Sequence, residues 1–149
     1  MRTSWRALAA LAGVLAGTLV ACGGESSDGA VVDATPDQTV KVTMTDLAFE
    51  PAEISVGAST DVRLSIHNQG ALSHDFTIVE MPHGTLEMSG GASSGDHAHG
   101  SDERAVHVVV APGTEATVDL ETTEAGTFEF FCSVPGHREG GMSGSFVVR

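Results

Sequence analysis

Tyrosine is absent from this 149-residue chain, tryptophan occurs once as Trp5, and cysteine occurs only as Cys22 and Cys132. Two cysteines cannot build a disulfide framework, so an apolar core must hold the fold. Basic side chains are also scarce: seven Lys and Arg face twenty Asp and Glu, for a formal charge of −13. That balance argues against nucleic acid as a partner, because binding to phosphates runs on clustered cations. No segment keeps a helical period of apolar residues, which removes the all-α classes. Long apolar runs are missing too, and the one stretch from Ala7 to Val20 is too short to span a bilayer comfortably.

What is present begins at that stretch. Arg2 and Arg6 precede it, and Leu19-Val20-Ala21-Cys22 closes it, which is the layout of a signal peptide. The four closing residues resemble a bacterial lipobox. In that resemblance residues 1–21 are removed and Cys22 becomes the lipidated first residue; simple secretion with an incidental cysteine is the alternative. The expected location is therefore the extracytoplasmic face of a bacterial cell membrane, with a lipid on Cys22 as the anchor. Loss of residues 1–21 leaves five basic and twenty acidic side chains, a formal charge of −15. So much acid suits a solvated surface, and it also suits steering of a basic redox partner. Cys132 is then alone in an oxidising compartment, where a free thiol is a liability unless a metal occupies it.

Residues 22–38, rich in Gly, Ser, Asp, Thr and Pro, read as the lipidated cysteine followed by a flexible tether. Residues 39–149 then switch to period two. Val40, Val42 and Met44 alternate with polar residues, as do Val62, Leu64 and Ile66. The same holds for Phe76 and Ile78, for Val106 to Val110, for Val118 and Leu120, for Phe128 and Phe130 leading into Cys132, and for Phe146 and Val148. Turn residues separate the runs at Gly57, Asn68-Gln69-Gly70, Pro112-Gly113 and Ala125-Gly126. Seven or eight short strands at this spacing predict an all-β fold, a sandwich of two sheets with Greek-key connections. Residues 81 to about 103 break the rhythm and read as a mobile insertion in this single domain.

The chemistry gathers near the C-terminus. Four residues separate Cys132 from His137, and four more separate His137 from Met142. A strand can deliver Cys132 at its end, Pro135-Gly136 can turn the chain, and Gly140-Gly141 can close it before Met142. With His74 from a neighbouring strand end, the set is one thiolate, two imidazoles and one thioether, which copper prefers and blue-copper sites use. Zinc is the rival metal, but a thioether is a poor ligand for it.

The segment from Phe128 to Gly144, with Phe130-Phe131-Cys132-x-x-Pro135-Gly136-His137, resembles the ligand loop of the cupredoxin family, the type 1 blue-copper proteins of the plastocyanin, azurin and auracyanin kind. Phe49 to Gly57 and Asn68 to Phe76 resemble further segments of that family. The likeness spans roughly residues 39–149 apart from the insertion. It implies a Greek-key β-sandwich holding one type 1 copper, with His74, Cys132 and His137 roughly trigonal, Met142 weakly axial, and the metal cycling between +1 and +2. In that family the residue after the first histidine is often Asn; here it is Asp75, which either hydrogen-bonds to Ser133 or adds negative charge. The N–H of Val134 is placed to donate to the Cys132 sulfur.

The remaining candidates have plainer readings. His67 and His107 fall on the outward phase of their strands, and Met44 and Met81 fill apolar gaps. His83, His97 and His99 sit in the insertion, where His-x-His could trap extra copper or simply be polar loop. The expected function is membrane-anchored electron transfer by a monomer without enzymatic activity, between redox proteins such as a cytochrome or a terminal oxidase. The alternative is copper storage or delivery. Catalysis would need a second copper with an open position, which the sequence does not announce.

Overall fold

The computed structural model describes residues 31–34, 39–91 and 104–149. The expected signal peptide, Cys22, most of the tether, His97 and His99 lie outside the described residues. Eleven strands and no helix occur among those described: β1 (Val31–Ala34), β2 (Thr39–Met44), β3 (Phe49–Glu50), β4 (Glu53–Val56), β5 (Thr60–Asn68), β6 (His74–Ile78), β7 (His83–Gly90), β8 (Val106–Val110), β9 (Glu115–Thr122), β10 (Gly126–Phe131) and β11 (Ser143–Val148). They form a six-stranded sheet in the order β1-β4-β11-β10-β6-β8 and a five-stranded sheet in the order β3-β2-β5-β9-β7. The all-β sandwich expected from the alternation is what the chain adopts.

Seven strands stand where the period-two pattern puts them, and β5 shows why: Val62, Leu64 and Ile66 turn inward while Asp61 and Arg63 face water. The other four have different causes. β4 runs parallel to β1 on one side and β11 on the other, and three of its four residues are buried, so no alternation marks it. β1 and β3 are too short to show a period. β1 falls within the stretch expected as tether, and its Val31–Ala34 pairs in parallel with Glu53–Val56.

The described part of the expected insertion is a strand. This is β7, an edge strand paired with β9 through Leu86↔Leu120, Met88↔Val118 and Gly90↔Ala116, with a bulge between His83 and Leu86. Most of its side chains are exposed, so main-chain pairing rather than burial defines it, and the hydrophobic pattern is correspondingly weak.

Between the sheets the core is centred on Phe49, Phe76 and Phe130. Phe76 and Phe130 stack at 4.9 Å, and Phe49 meets them edge-on at 5.8 and 5.2 Å. Such aromatic pairs contribute about 0.5–1.5 kcal/mol each beyond the area they bury. Phe130 precedes Cys132 by two residues and Phe76 follows His74 by two, so the stack fixes the strand ends from which both ligand candidates emerge. Three loops meet at this end. The Ala71 N–H donates to Asp46 Oδ1 at 2.8 Å, and the Gln69 N–H donates to the Met44 carbonyl at 2.8 Å.

Candidate metal centre

His74 opens β6, and Cys132 lies one residue past the end of β10. These strands are antiparallel neighbours with Phe131 opposite Thr77. Continuing that register puts Ser133 opposite Asp75, so the two ligand-bearing ends lie side by side. The loop between β10 and β11 folds back on itself through backbone bonds. The His137 N–H donates to Val134 O at 3.0 Å, the Met142 N–H to His137 O at 2.9 Å, and the Cys132 N–H to Met142 O at 3.1 Å. Gly136 and Gly141 hold φ of 86° and 105°, a left-handed backbone that side chains with a Cβ resist. Arg138 lies 4.1 Å over the Phe131 ring and pairs with Glu129, which pins the outside of the loop to β10.

The result is a compact triangle of donors. His74 Nδ1 and His137 Nδ1 are 3.1 Å apart, Cys132 Sγ is 3.9 Å from the first and 3.5 Å from the second. A triangle with these sides has a circumscribed radius of about 2 Å, close to the roughly 2.0–2.3 Å of metal bonds to imidazole nitrogen and thiolate sulfur. His74, Cys132 and Met142 are fully buried and His137 is half-buried. Nε2 of His74 is buried without a hydrogen-bond partner, which leaves Nδ1 as the ring atom directed at the sulfur and the second imidazole. Two imidazole lone pairs and a sulfur turned toward one point are what a cation satisfies.

Burial sets the electrostatics. It lowers the His74 imidazole below its ordinary value, as does the neighbouring His137, with Asp46 and Asp75 opposing. Burial also pushes the Cys132 thiol up, against the backbone N–H groups of Asp75 and Val134, which favour the thiolate. The Asp75 N–H lies 3.5 Å from the sulfur. Burial therefore favours the uncharged forms of His74 and Cys132, and a metal must displace the thiol proton to be bound by the thiolate.

All three of the expected nitrogen and sulfur ligands meet here. Met142, the expected fourth, is buried and bound through its backbone to both Cys132 and His137. The other histidines stay out: His67 and His107 are half-buried, and among the described residues His74, Cys132 and His137 are the one group of three that could hold a metal ion. Met44 and Met81 belong to the core. His83 lies on β7 with Nδ1 3.1 Å from Gly84 O.

Sequence reasoning missed the part played by Asn68, which it treated as turn chemistry. Its buried amide donates to the carbonyls of Leu72 and Val110, each at 2.8 Å, and its Oδ1 accepts from the Gly70 N–H at 2.9 Å. This shapes the loop that leads into His74. The signal was available: Asn68 continues the inward phase of Val62, Leu64 and Ile66, and an inward polar residue must be satisfied by a network.

Comparison with known proteins agrees with this geometry. A model of the cupredoxin-like domain matches residues 11–148. Over 126 residues the chain is 34% identical to the copper-resistant cuproprotein CopI of Rubrivivax gelatinosus, covering 78% of this chain and 69% of that one. It is 29% identical over 136 residues to auracyanin-B of Chloroflexus aurantiacus, covering 79% of this chain and 55% of the other. A solved structure of auracyanin B superposes with a TM-score of 0.58 at 25% identity, over 79% of this chain and 93% of that structure. With residues 11–148 matched to that domain and a copper-sized triangle of donors at the loop end, the chain belongs to the cupredoxin-like family of copper proteins.

Proposed function

We propose that this protein is a membrane-anchored electron carrier with a type 1 copper held by His74, Cys132, His137 and, more weakly, Met142. The observation that carries the reading is the donor triangle, whose size suits a metal before any metal is present. Bound copper supplies a one-electron couple between +1 and +2. The chain supplies everything else. Burial keeps water from the centre, the closed loop fixes His137 relative to Cys132, and the Phe stack holds the strand ends, so little has to move when the charge changes. His137, the half-buried ligand, is the route for the electron, and the exposed side chains of Leu72, Ala71 and Pro135 with half-buried Val134 form the apolar rim that a transient partner covers. The anchor is a lipid on Cys22, testable by mass spectrometry of the membrane fraction; an unmodified Cys22 would refute it.

A specific observation also favours copper handling. The CopI relative is named for copper resistance, and its identity to this chain exceeds that of auracyanin-B. Repeated cycling separates the two roles. The copper-loaded full chain is taken many times between ascorbate and ferricyanide with a Cu(I) chelator present. An electron carrier retains its copper and its colour through the cycles. A storage or delivery protein yields its copper to the chelator on the first reduction. An enzymatic role would need a second copper with an open coordination position.

A further inference from the structure

We propose that Asp75 is a positioning residue that joins the two ligand-bearing segments and, by its fixed negative charge, biases the copper centre toward Cu(II). This deepens the redox reading above and rests on it.

The carboxylate is 4% exposed and lies on the face of β6 opposite His74 and Phe76. A carboxylate so placed requires donors, and three converge on it. Its Oδ1 accepts from the Ser133 backbone N–H and from the Thr77 hydroxyl, each at 2.8 Å. Its Oδ2 accepts from the Ser133 hydroxyl at 2.8 Å. An ionised carboxylate has only acceptor sites, and all three of these neighbours donate to it. No Lys or Arg takes part in these bonds, and the charge is solvated by dipoles rather than neutralised.

Position turns that charge into an effect on the metal. Asp75 follows His74, and both hydrogen bonds to Ser133 fall on the residue after Cys132, so one side chain clamps segments 58 positions apart. Its own N–H points at the Cys132 sulfur. With its N–H 3.5 Å from Cys132 Sγ and its carboxylate bound to the residue after Cys132, Asp75 sits against the donor set, close enough for its charge to act there. Cu(II) carries one more positive charge than Cu(I) in the same donor set, so a nearby anion stabilises it more. By the thermodynamic cycle, the shift in redox equilibrium equals the change in the ratio of Cu(II) to Cu(I) affinities.

The test compares the copper-loaded full chain with Asp75→Asn and Thr77→Val in a potentiometric titration followed through the visible band. Binding of each oxidation state is measured separately by chelator competition. Asp75→Asn preserves the shape and the acceptor Oδ1 but removes the charge. It retains one copper and raises the Cu(I) to Cu(II) ratio at a given ambient potential by about tenfold or more, about 59 mV for one electron, through weaker Cu(II) binding. Thr77→Val removes one donor and keeps the charge, so its smaller shift runs the other way, toward Cu(II). A ratio for Asp75→Asn within about threefold of the parent, or Thr77→Val moving toward Cu(I), would overturn the proposal. Where Asp75→Asn fails to fold, the sign of the Thr77→Val shift decides. A parent protein with no reversible couple removes the electron-transfer reading and this inference together, whereas a normal parent couple with unshifted variants removes only the inference.

Discussion

At the scale of single residues, Cys132 and His74 determine how copper enters. Burial raises the Cys132 thiol, so at neutral pH the site holds a proton that the metal must expel. Burial lowers His74, so its imidazole is already neutral there and offers no competing proton. The sign follows directly: copper affinity rises with pH, by about tenfold per unit, for as long as one thiol proton is exchanged for each metal. Chelator competition between pH 6 and 8, or direct measurement of proton release, checks this; an affinity independent of pH would contradict it. Cys132→Ser should abolish the thiolate-to-copper band while leaving the apo domain folded, because the new hydroxyl fits where the thiol was. Loss of the far-ultraviolet β-sheet signal in that variant would point to a structural role instead.

Single elements account for how firmly those residues are held. Phe130 sits within the Phe49–Phe76–Phe130 cluster, fully buried, and its truncation leaves a cavity that the two packed sheets cannot collapse. Phe130→Ala should destabilise the domain by about 3–5 kcal/mol in denaturant unfolding, and a loss below about 1 kcal/mol would mean that the site end relaxes around the gap. β7 stands at the other extreme. As an exposed edge strand bound by backbone pairing to β9, it should exchange its amide hydrogens well before β5 or β9.

The same contrast explains what could be read from the chain itself. Half-buried strands such as β5 and β9 announce themselves through alternation, and the spacing of Cys132, His137 and Met142 announces a loop that returns to its start. β4, parallel to its neighbours and largely buried, shows no period, and β7 has too few apolar residues to register. The donors on Asp75 were legible only in part. An acid after His74 suggested a link to Ser133, but Thr77 joins because β6 is buried on both faces, a tertiary fact that no local pattern carries.

For the whole molecule, charge and surface determine the partners. For the proposed electron carrier, twenty acidic residues against seven basic ones would steer a positively charged redox protein, and the apolar rim proposed near His137 would give that partner somewhere to rest. Leu72, 56% exposed, is the largest side chain of that rim. Leu72→Asp should slow electron exchange with a basic partner while leaving the visible spectrum and the potential unchanged, and raising the salt concentration should slow the parent protein as well. Unaltered kinetics in the variant would place docking on another face.

The most direct test of the central claim is a Cu(II) titration of the apoprotein followed by visible absorption and EPR. The donor set of His74, Cys132, His137 and Met142 predicts an intense band toward the red end of the spectrum, bleached by ascorbate and saturating at one copper per chain. A colourless complex that takes up two or more coppers would contradict a type 1 redox centre and make these residues part of a copper store.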